Sequence, residues 1–134
     1  MGFSNKIPEL KNELLNGVHE CFVSDVYLVK EDGQPVMQNG DYIVVLSFTC
    51  GSLTSEKAFK LGSDFEFKEY KKLLAILGVQ LVNDYYRRQD MIGKKVAVFV
   101  QKITNRESGE VNYKIVNFKP AGKNYKHITS EIFI

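Results

Sequence analysis

The sequence predicts a small, mainly β protein, a Greek-key barrel of five strands with one helix between the third and fourth strands. Five segments rich in Val, Ile and aromatic residues are separated by turn signals, which is typical of antiparallel β proteins. A single long segment has the 3.6-residue apolar spacing of an amphipathic helix. The chain has 134 residues, 44% of them hydrophobic and 25% charged, which suits one domain with its own core.

The first predicted elements are a short helix and a long strand. Leu10, Leu14 and Leu15 have helical spacing and predict one or two helical turns within residues 8–16. Residues 18–30 carry apolar side chains at both odd and even positions. This pattern predicts a strand that bends and changes faces.

The second and third strands follow a loop that is bounded by turn signals. Asp-Gly at residues 32–33 and Asn-Gly at residues 39–40 mark the two ends of this loop. Residues 42–49 are rich in Ile, Val and aromatic side chains, and Gly51 separates them from a third strand over residues 54–61. The three strands are expected to form an antiparallel meander.

The helix has signals at both ends. Ser63 and Glu66 have the spacing of a capping box, in which each side chain accepts a hydrogen bond from the other residue's backbone N–H. Gly78 stands where a left-handed C-terminal cap belongs. Apolar side chains at helical spacing lie between them: Phe67, Tyr70, Leu73, Leu74 and Leu77. A second short helix is expected around residues 84–88.

The last two strands form a hairpin. Residues 96–103 are expected to direct Val96, Val98 and Val100 to the core, and residues 111–118 return after a turn at residues 105–109. Five strands with a helix between the third and fourth is the chain order of the oligonucleotide-binding (OB) fold.

Four motifs carry a family resemblance: Gly-Val-His-Glu-Cys at 17–21, Tyr-Ile-Val-Val-Leu-Ser-Phe at 42–48, Lys-Leu-Leu-Ala-Ile-Leu-Gly at 72–78 and Ile-Gly-Lys-Lys-Val at 92–96. Together they resemble a phage- and prophage-type family of small OB-fold proteins, regarded as single-stranded DNA-binding or replication-accessory proteins. The resemblance covers residues 17–120 and implies a leader at 1–16, an OB-fold domain at 17–120 and a tail at 121–134.

The end of the chain departs from bacterial single-stranded DNA-binding proteins. Those proteins usually carry a disordered acidic tail that ends in an aromatic residue, whereas this sequence ends Ser-Glu-Ile-Phe-Ile. The motifs that match are turns, core positions and a helix cap, so they speak for the fold more than for the activity.

The distribution of charge matters more than its sum. Eighteen basic and 16 acidic side chains leave a net charge of +2, which argues against a polybasic protein that binds by charge alone. Residues 111–130 nevertheless hold cations and no acid, with Tyr125 and His127 among them. The cations are Lys114, Lys119, Lys123 and Lys126.

Single-stranded DNA binding requires cations for phosphates and aromatic faces for bases. In an OB fold these gather on the second and third strands and on the loops that join strands one to two and four to five. Expected DNA-binding residues are Lys57, Lys60, Phe99, Lys102, Arg106, Tyr113, Lys114, Lys123, Tyr125 and Lys126. The first loop is instead acidic. Taken singly, the aromatic residues also suit core positions and the lysines a solvated surface, and the tail also suits a flexible solubilising segment.

Catalytic and metal motifs are absent from the sequence, so we expect neither an enzyme nor a cofactor. A zinc site built from Cys21, Cys50, His19 and His127 is one alternative, and two packed, reduced thiols in a cytoplasmic protein is the simpler one. Asp84 and Asp90 are close in sequence, but the arginines between them favour a solvated charge cluster. No segment has the length and hydropathy of a membrane span.

We therefore expect a cytoplasmic protein that binds single-stranded DNA without sequence preference in replication or recombination. Replication or recombination proteins and further copies of the chain are possible partners. One alternative is a protein-interaction or replisome accessory module, whose apolar residues 132–134 dock on a partner. Another is a barrel that binds a small ligand or a sugar.

Overall fold

The computed structural model describes residues 9–80, 88–125 and 132–134. The chain is mainly β, as predicted, with one long helix. The strands are β1 (Gly17–Leu28), β2 (Lys30–Glu31), β3 (Gln34–Pro35), β4 (Met37–Gln38), β5 (Asp41–Cys50), β6 (Leu53–Lys60), β7 (Lys95–Thr104), β8 (Val111–Pro120) and β9 (Ile132–Phe133). The helices are α1 (Asp64–Leu77) and α2 (Arg88–Met91).

The long strands form one antiparallel sheet in the order β6-β5-β1-β7-β8. β1 pairs with β7 through residues 17–22 and with β5 through residues 22–28. The register shifts between Val23 and Asp25, which confirms the predicted bend. Among the described residues, no backbone ladder joins β6 to β8.

The main core lies between the sheet and α1. Phe59 of β6 and Phe118 of β8 belong to the two outermost long strands, yet their ring centroids are 6.3 Å apart. The sheet is therefore curled, so that both outer strands pack on one core. Tyr70 of α1 is fully buried, and its ring centroid lies 5.6 Å from that of Phe59. The helix thus covers the core beside the gap between β6 and β8.

The ends of α1 confirm one prediction and correct another. Gly78 adopts the left-handed conformation with φ 75°, as expected of a C-terminal cap. The Ser63 hydroxyl accepts a hydrogen bond from the Glu66 N–H (3.5 Å), but the reciprocal bond of a capping box is not formed. The Glu66 carboxylate accepts instead from the Lys60 N–H (3.2 Å), because the Ser63 N–H donates to the Lys60 carbonyl (3.0 Å).

The predicted leader helix is wrong for the described residues. Asn12 forms an isolated β-bridge with Ser55 of β6. The Glu56 N–H donates to the Lys11 carbonyl (2.8 Å), and the Glu13 N–H donates to the Thr54 carbonyl (3.2 Å). The edge of β6 that faces away from β5 thus gives the leader two backbone hydrogen bonds, more than a single helical turn would form. Pairing with β6 also buries Leu14.

The loop between β1 and β5 contains three short strands that the sequence did not predict. Asp32 (φ 51°) and Asn39 (φ 55°) adopt the left-handed conformation beside Gly33 and Gly40. Paired left-handed residues are typical of tight hairpin turns, so both predicted turns are confirmed. They produce a β2–β3 hairpin and a β4–β5 hairpin.

The second helix that the sequence predicts around residues 84–88 falls mostly outside the described residues. α2 begins at Arg88, whose guanidinium forms an ion pair with Asp25 (2.9 Å) and donates to the Val26 carbonyl (3.1 Å). This cation therefore ties α2 to the bend of β1. No helix in the described part of the chain is both long and apolar enough to cross a membrane.

Candidate nucleic-acid interface

The outer face of β5 and β6, where the predicted fold would bind DNA, is covered by the chain itself. Ile43 and Val45 of β5 point away from the main core but are buried, together with Val29. Leu10 from the leader and Val36 from the loop pack over them. This face is therefore a second, smaller core, over which the leader and the loop pack.

A carboxylate network holds this cover in place. The Glu56 side chain accepts hydrogen bonds from the Lys11 N–H (2.9 Å), the Tyr27 hydroxyl (3.0 Å) and the Ser47 hydroxyl (2.8 Å). Burial, followed by the hydrogen bond and charge of Glu56, raises the pKa of Tyr27 to about 12. The Glu56 carboxylate thus joins the leader, β1 and β5 on this side of the sheet.

Among the residues that the structure describes, the outer face of β7 and β8 is left largely open, and it carries an aromatic side chain. Val96, Val98 and Val100 are buried in the main core, as predicted. Phe99 lies between two of them in the strand and so points to the opposite face, where it is half-buried. Its position matches the sequence prediction of an outward-facing ring.

A second ring and a cation stand beside Phe99. The Tyr125 ring meets the Phe99 ring edge-on, with centroids 5.5 Å apart. The Lys119 ammonium lies 5.4 Å from the Phe99 centroid and 5.5 Å from that of Tyr125. We call Phe99, Lys119 and Tyr125 the aromatic–lysine cluster. It combines flat apolar faces with a positive charge that the rings hold by cation–π attraction.

The turn after β8 builds this cluster. The chain leaves β8 at Pro120 and reverses at Gly122, whose N–H donates to the Glu20 carboxylate (2.6 Å). The Tyr125 hydroxyl donates to the Pro120 carbonyl (2.6 Å), which fixes the ring over Phe99. Lys123 is exposed within the same turn. The turn therefore returns the first residues of the predicted tail to the sheet.

A shallow groove of about 220 Å³ runs beside Phe99. Its floor is apolar because Gly17 has no side chain and Val116, which is 48% exposed, is turned outward. Val116 is turned outward because the register of the β7–β8 ladder shifts at this point. Phe99 pairs with Asn117 and Val100 pairs with Ile115, so Val116 has no partner residue in β7. The side chains of Gln101 and Asn117 also line the groove and bring amide groups to it.

A second cleft, of about 280 Å³, lies in the gap between β6 and β8. It brings together three of the predicted DNA-binding residues, Lys57, Tyr113 and Lys114. Lys57 shares the core-facing side of β6 with Phe59, and its ammonium lies 5.6 Å from that ring. Tyr113 packs partly against the main core. Lys114 pairs with Gln101, which lines the first groove.

Three other predicted residues lie apart from both grooves. Lys60 ends β6 beside the start of α1. The Lys102 N–H donates to the side chain of Asn16 (3.2 Å), the residue immediately before the start of β1. Arg106 stands at the hairpin turn, its guanidinium 5.3 Å from the Phe133 ring. Lys126, the remaining predicted residue, lies outside the described residues.

Lys119 was absent from the predicted DNA-binding residues, although the acid-free stretch contains it. Strict alternation along β8 would place Lys119 on the same face as Ile115, which is buried in the main core. The bulge at Val116 interrupts the alternation, so the two side chains lie on opposite faces. The approach of Lys119 to Phe99 also depends on the pairing of β7 with β8. The signal in the sequence that could have identified Lys119 is its position in the acid-free residues 111–130.

The predicted metal alternatives find no support in the described residues. No group of three or more His, Cys, Asp or Glu side chains is placed to hold a metal ion within residues 9–80, 88–125 and 132–134. His19 hydrogen-bonds the Leu15 carbonyl (2.6 Å). His127 and Asp84 lie outside the described residues. Cys21 and Cys50 are both free thiols.

No protein-family model matches this chain, and no curated protein matches it. The family resemblance of its motifs therefore stays a prediction.

Proposed function

We propose that this protein is an OB-fold barrel that binds single-stranded DNA without sequence preference and performs no chemistry on it. Phage-type replication or recombination is the setting that the sequence motifs favour. The single observation that carries the proposal is the aromatic–lysine cluster on the open face of β7 and β8.

The strand pairings support the OB-fold part of the proposal. β1 pairs with both β5 and β7, β5 pairs with β6, and β7 pairs with β8, and α1 lies between β6 and β7 in the chain. These are the pairings that the chain order of an OB fold requires up to the closure of the barrel. The packing of Phe59 and Phe118 on one core brings the two outer strands close to that closure.

The chemistry of the cluster suits a single strand. Every base has a flat π face, so a base can stack on Phe99 or Tyr125 whatever its identity, for about 1–3 kcal/mol per base. The Lys119 ammonium lies beside both rings, 5.4 Å and 5.5 Å from their centroids, and Lys123 is exposed in the adjoining turn. Phosphates on either side of a stacked base would meet these two ammonium groups.

Lys114 extends the proposed path along β8. Lys114 and Lys119 are five residues apart in the strand, which corresponds to roughly 16 Å at about 3.3 Å per residue. The apolar groove beside Phe99 lies between them. We infer that a strand of a few nucleotides follows this line, with its bases toward the groove and its phosphates toward the lysines.

Fluorescence anisotropy with labelled oligo-dT at several salt concentrations tests the proposal. Each phosphate contact contributes about 0.7 to the slope of log affinity against log salt for single strands. Lys119→Gln should therefore weaken binding and flatten this slope by about 0.7. Lys72→Gln, at an exposed position on α1, is the matched control and should change neither. If the wild-type protein fails to bind at low salt, the proposal is wrong.

A protein-interaction module is the second candidate, favoured by β9. This strand pairs in parallel with β7 at residues 103–104. Its side chains Ile132 and Phe133, with Ile134 after them, are 38%, 48% and 69% exposed. An apolar strip of this kind at a sheet edge suits a protein partner. Absence of DNA binding, together with replication proteins captured by the wild type and lost by Phe133→Ser, would favour this candidate.

A further inference from the structure

The two cysteines face each other across neighbouring strands. The β1–β5 ladder ends with the pair Phe22 and Thr49, so Cys21 and Cys50 are the next residues opposite each other in the same register. Residues opposite in an antiparallel pair have Cα atoms about 4.5–5.5 Å apart. This separation falls within the range of about 4.4–6.8 Å that a disulfide spans.

Both thiols lie on the core side of the sheet. Cys21 is 2% exposed, and Cys50 packs against the same core cluster. Burial, then the charge and hydrogen bond of Cys50, raises the pKa of Cys21 to about 12. The Cys21 thiol also reaches the His19 carbonyl (3.6 Å). The two cysteines therefore occupy opposite positions on the same face of β1 and β5, which is the arrangement that a cross-strand disulfide requires.

The two cysteines differ in their access to solvent. Cys50 is half-buried at the end of β5, immediately before the turn at Gly51. Cys21 lies inside the sheet, where β1 passes from its pairing with β7 to its pairing with β5. A reagent in solution therefore meets Cys50 first, and Cys21 is placed to attack from inside.

We propose that Cys21 and Cys50 are a redox pair that a low-molecular-weight disulfide converts reversibly into an intramolecular disulfide. The Cys50 thiolate attacks one sulfur of the small disulfide, forms a mixed disulfide and releases one small thiol. The Cys21 thiol then loses its proton to water, and its sulfur attacks the Cys50 sulfur and expels the second small thiol. In sum the protein loses two protons and two electrons, and the small disulfide gains them to become two thiols.

The bridge would fasten β1 to β5 at the point where β1 changes partners. It closes a loop that runs from Cys21 to Cys50 through the β2–β3 and β4–β5 hairpins. A cross-link of this length restricts the unfolded chain more than the folded one. Oxidation should therefore raise the thermal midpoint of the protein, and reduction should lower it again.

The test uses the whole chain with oxidised glutathione at pH 8.5, quenched with acid and mapped by mass spectrometry under non-reducing conditions. We expect a loss of two mass units without a glutathione adduct, a linked Cys21–Cys50 peptide, and a higher melting midpoint that dithiothreitol reverses. Cys21→Ala should instead accumulate one stable glutathione adduct on Cys50. Cys50→Ala should remain unmodified, because the remaining thiol is buried.

Two results would overturn the proposal, and neither depends on a variant. One is a stable glutathione adduct on Cys50 of the wild type, with Cys21 still free to alkylate after unfolding. The other is a disulfide-linked dimer as the main product. DNA binding plays no part in these readouts, so the redox pair and the proposed function are tested separately.

Discussion

Replacing Phe99 tests whether its ring is a platform for DNA bases. Phe99→Ala removes the ring that Tyr125 meets edge-on and that Lys119 approaches to 5.4 Å. Phe99→Leu keeps much of the apolar bulk and removes the π face. Comparison of the two variants separates the loss of stacking from the loss of packing.

The expected size of the effect follows from one lost stacking contact. A stacked base contributes about 1–3 kcal/mol, and every 1.4 kcal/mol is a factor of about ten in affinity. Phe99→Ala and Phe99→Leu should therefore weaken oligo-dT binding roughly 5- to 150-fold. Truncation of a fully buried Phe costs about 3–5 kcal/mol of stability, and half-buried Phe99 should cost less. A domain of ordinary stability stays folded after such a loss.

The assay is fluorescence anisotropy with labelled oligo-dT at low salt, with the thermal midpoint of each variant measured alongside. Phe65→Ala is the matched control, because Phe65 is 72% exposed in the first turn of α1. The reasoning is refuted if both Phe99 variants are folded and bind as tightly as the wild type. It is equally refuted if Phe65→Ala weakens binding to the same extent.

Two further predictions concern stability. Gly78→Ala should lower the free energy of unfolding, measured by urea denaturation, by about 1–2 kcal/mol, because a Cβ at φ 75° is strained although the space around it is open. Ala75→Gly, inside the same helix, should lower the free energy of unfolding by about 1 kcal/mol for a different reason, the loss of helix propensity. Burial raises the pKa of Cys21 from 9.0 and that of Tyr27 from 10.0, each to about 12, so the fold favours both neutral forms, and stability should fall as the pH rises from about 9 to about 12. Tyr27→Phe should fall less steeply above pH 10, and the same slope in both proteins would contradict the assignment.

The strands and α1 were predictable because their signals are local. Val96, Val98 and Val100 alternate along β7, and Gly78 ends α1, so each element could be placed from its own residues. The outward position of Phe99 followed from the same alternation. Of the two hydrogen bonds of the predicted capping box, the one that Ser63 accepts is formed and the one that Glu66 was expected to accept is not. The Glu66 carboxylate accepts from Lys60 instead, and this partner depends on where β6 ends.

The candidate interface was predicted only in part, because it joins residues from separate strands. Phe99 and Tyr125 were both expected to bind DNA, but their contact depends on the turn at Gly122. Lys57 and Lys114 meet in one cleft across the gap between β6 and β8. No local pattern in either strand indicates the width of that gap.

The sequence by itself determined where the five long strands, α1 and the turns between them lie, and which stretch of the chain is free of acidic residues. Tertiary structure decided that the leader pairs with β6 and that β9 pairs with β7. It thereby also decided that the outer face of β5 is covered, whereas the described part of the chain leaves the outer face of β7 and β8 largely open. The reason is that an unpaired strand edge offers the same backbone N–H and C=O groups to any extended segment. Which segment reaches it depends on the whole fold.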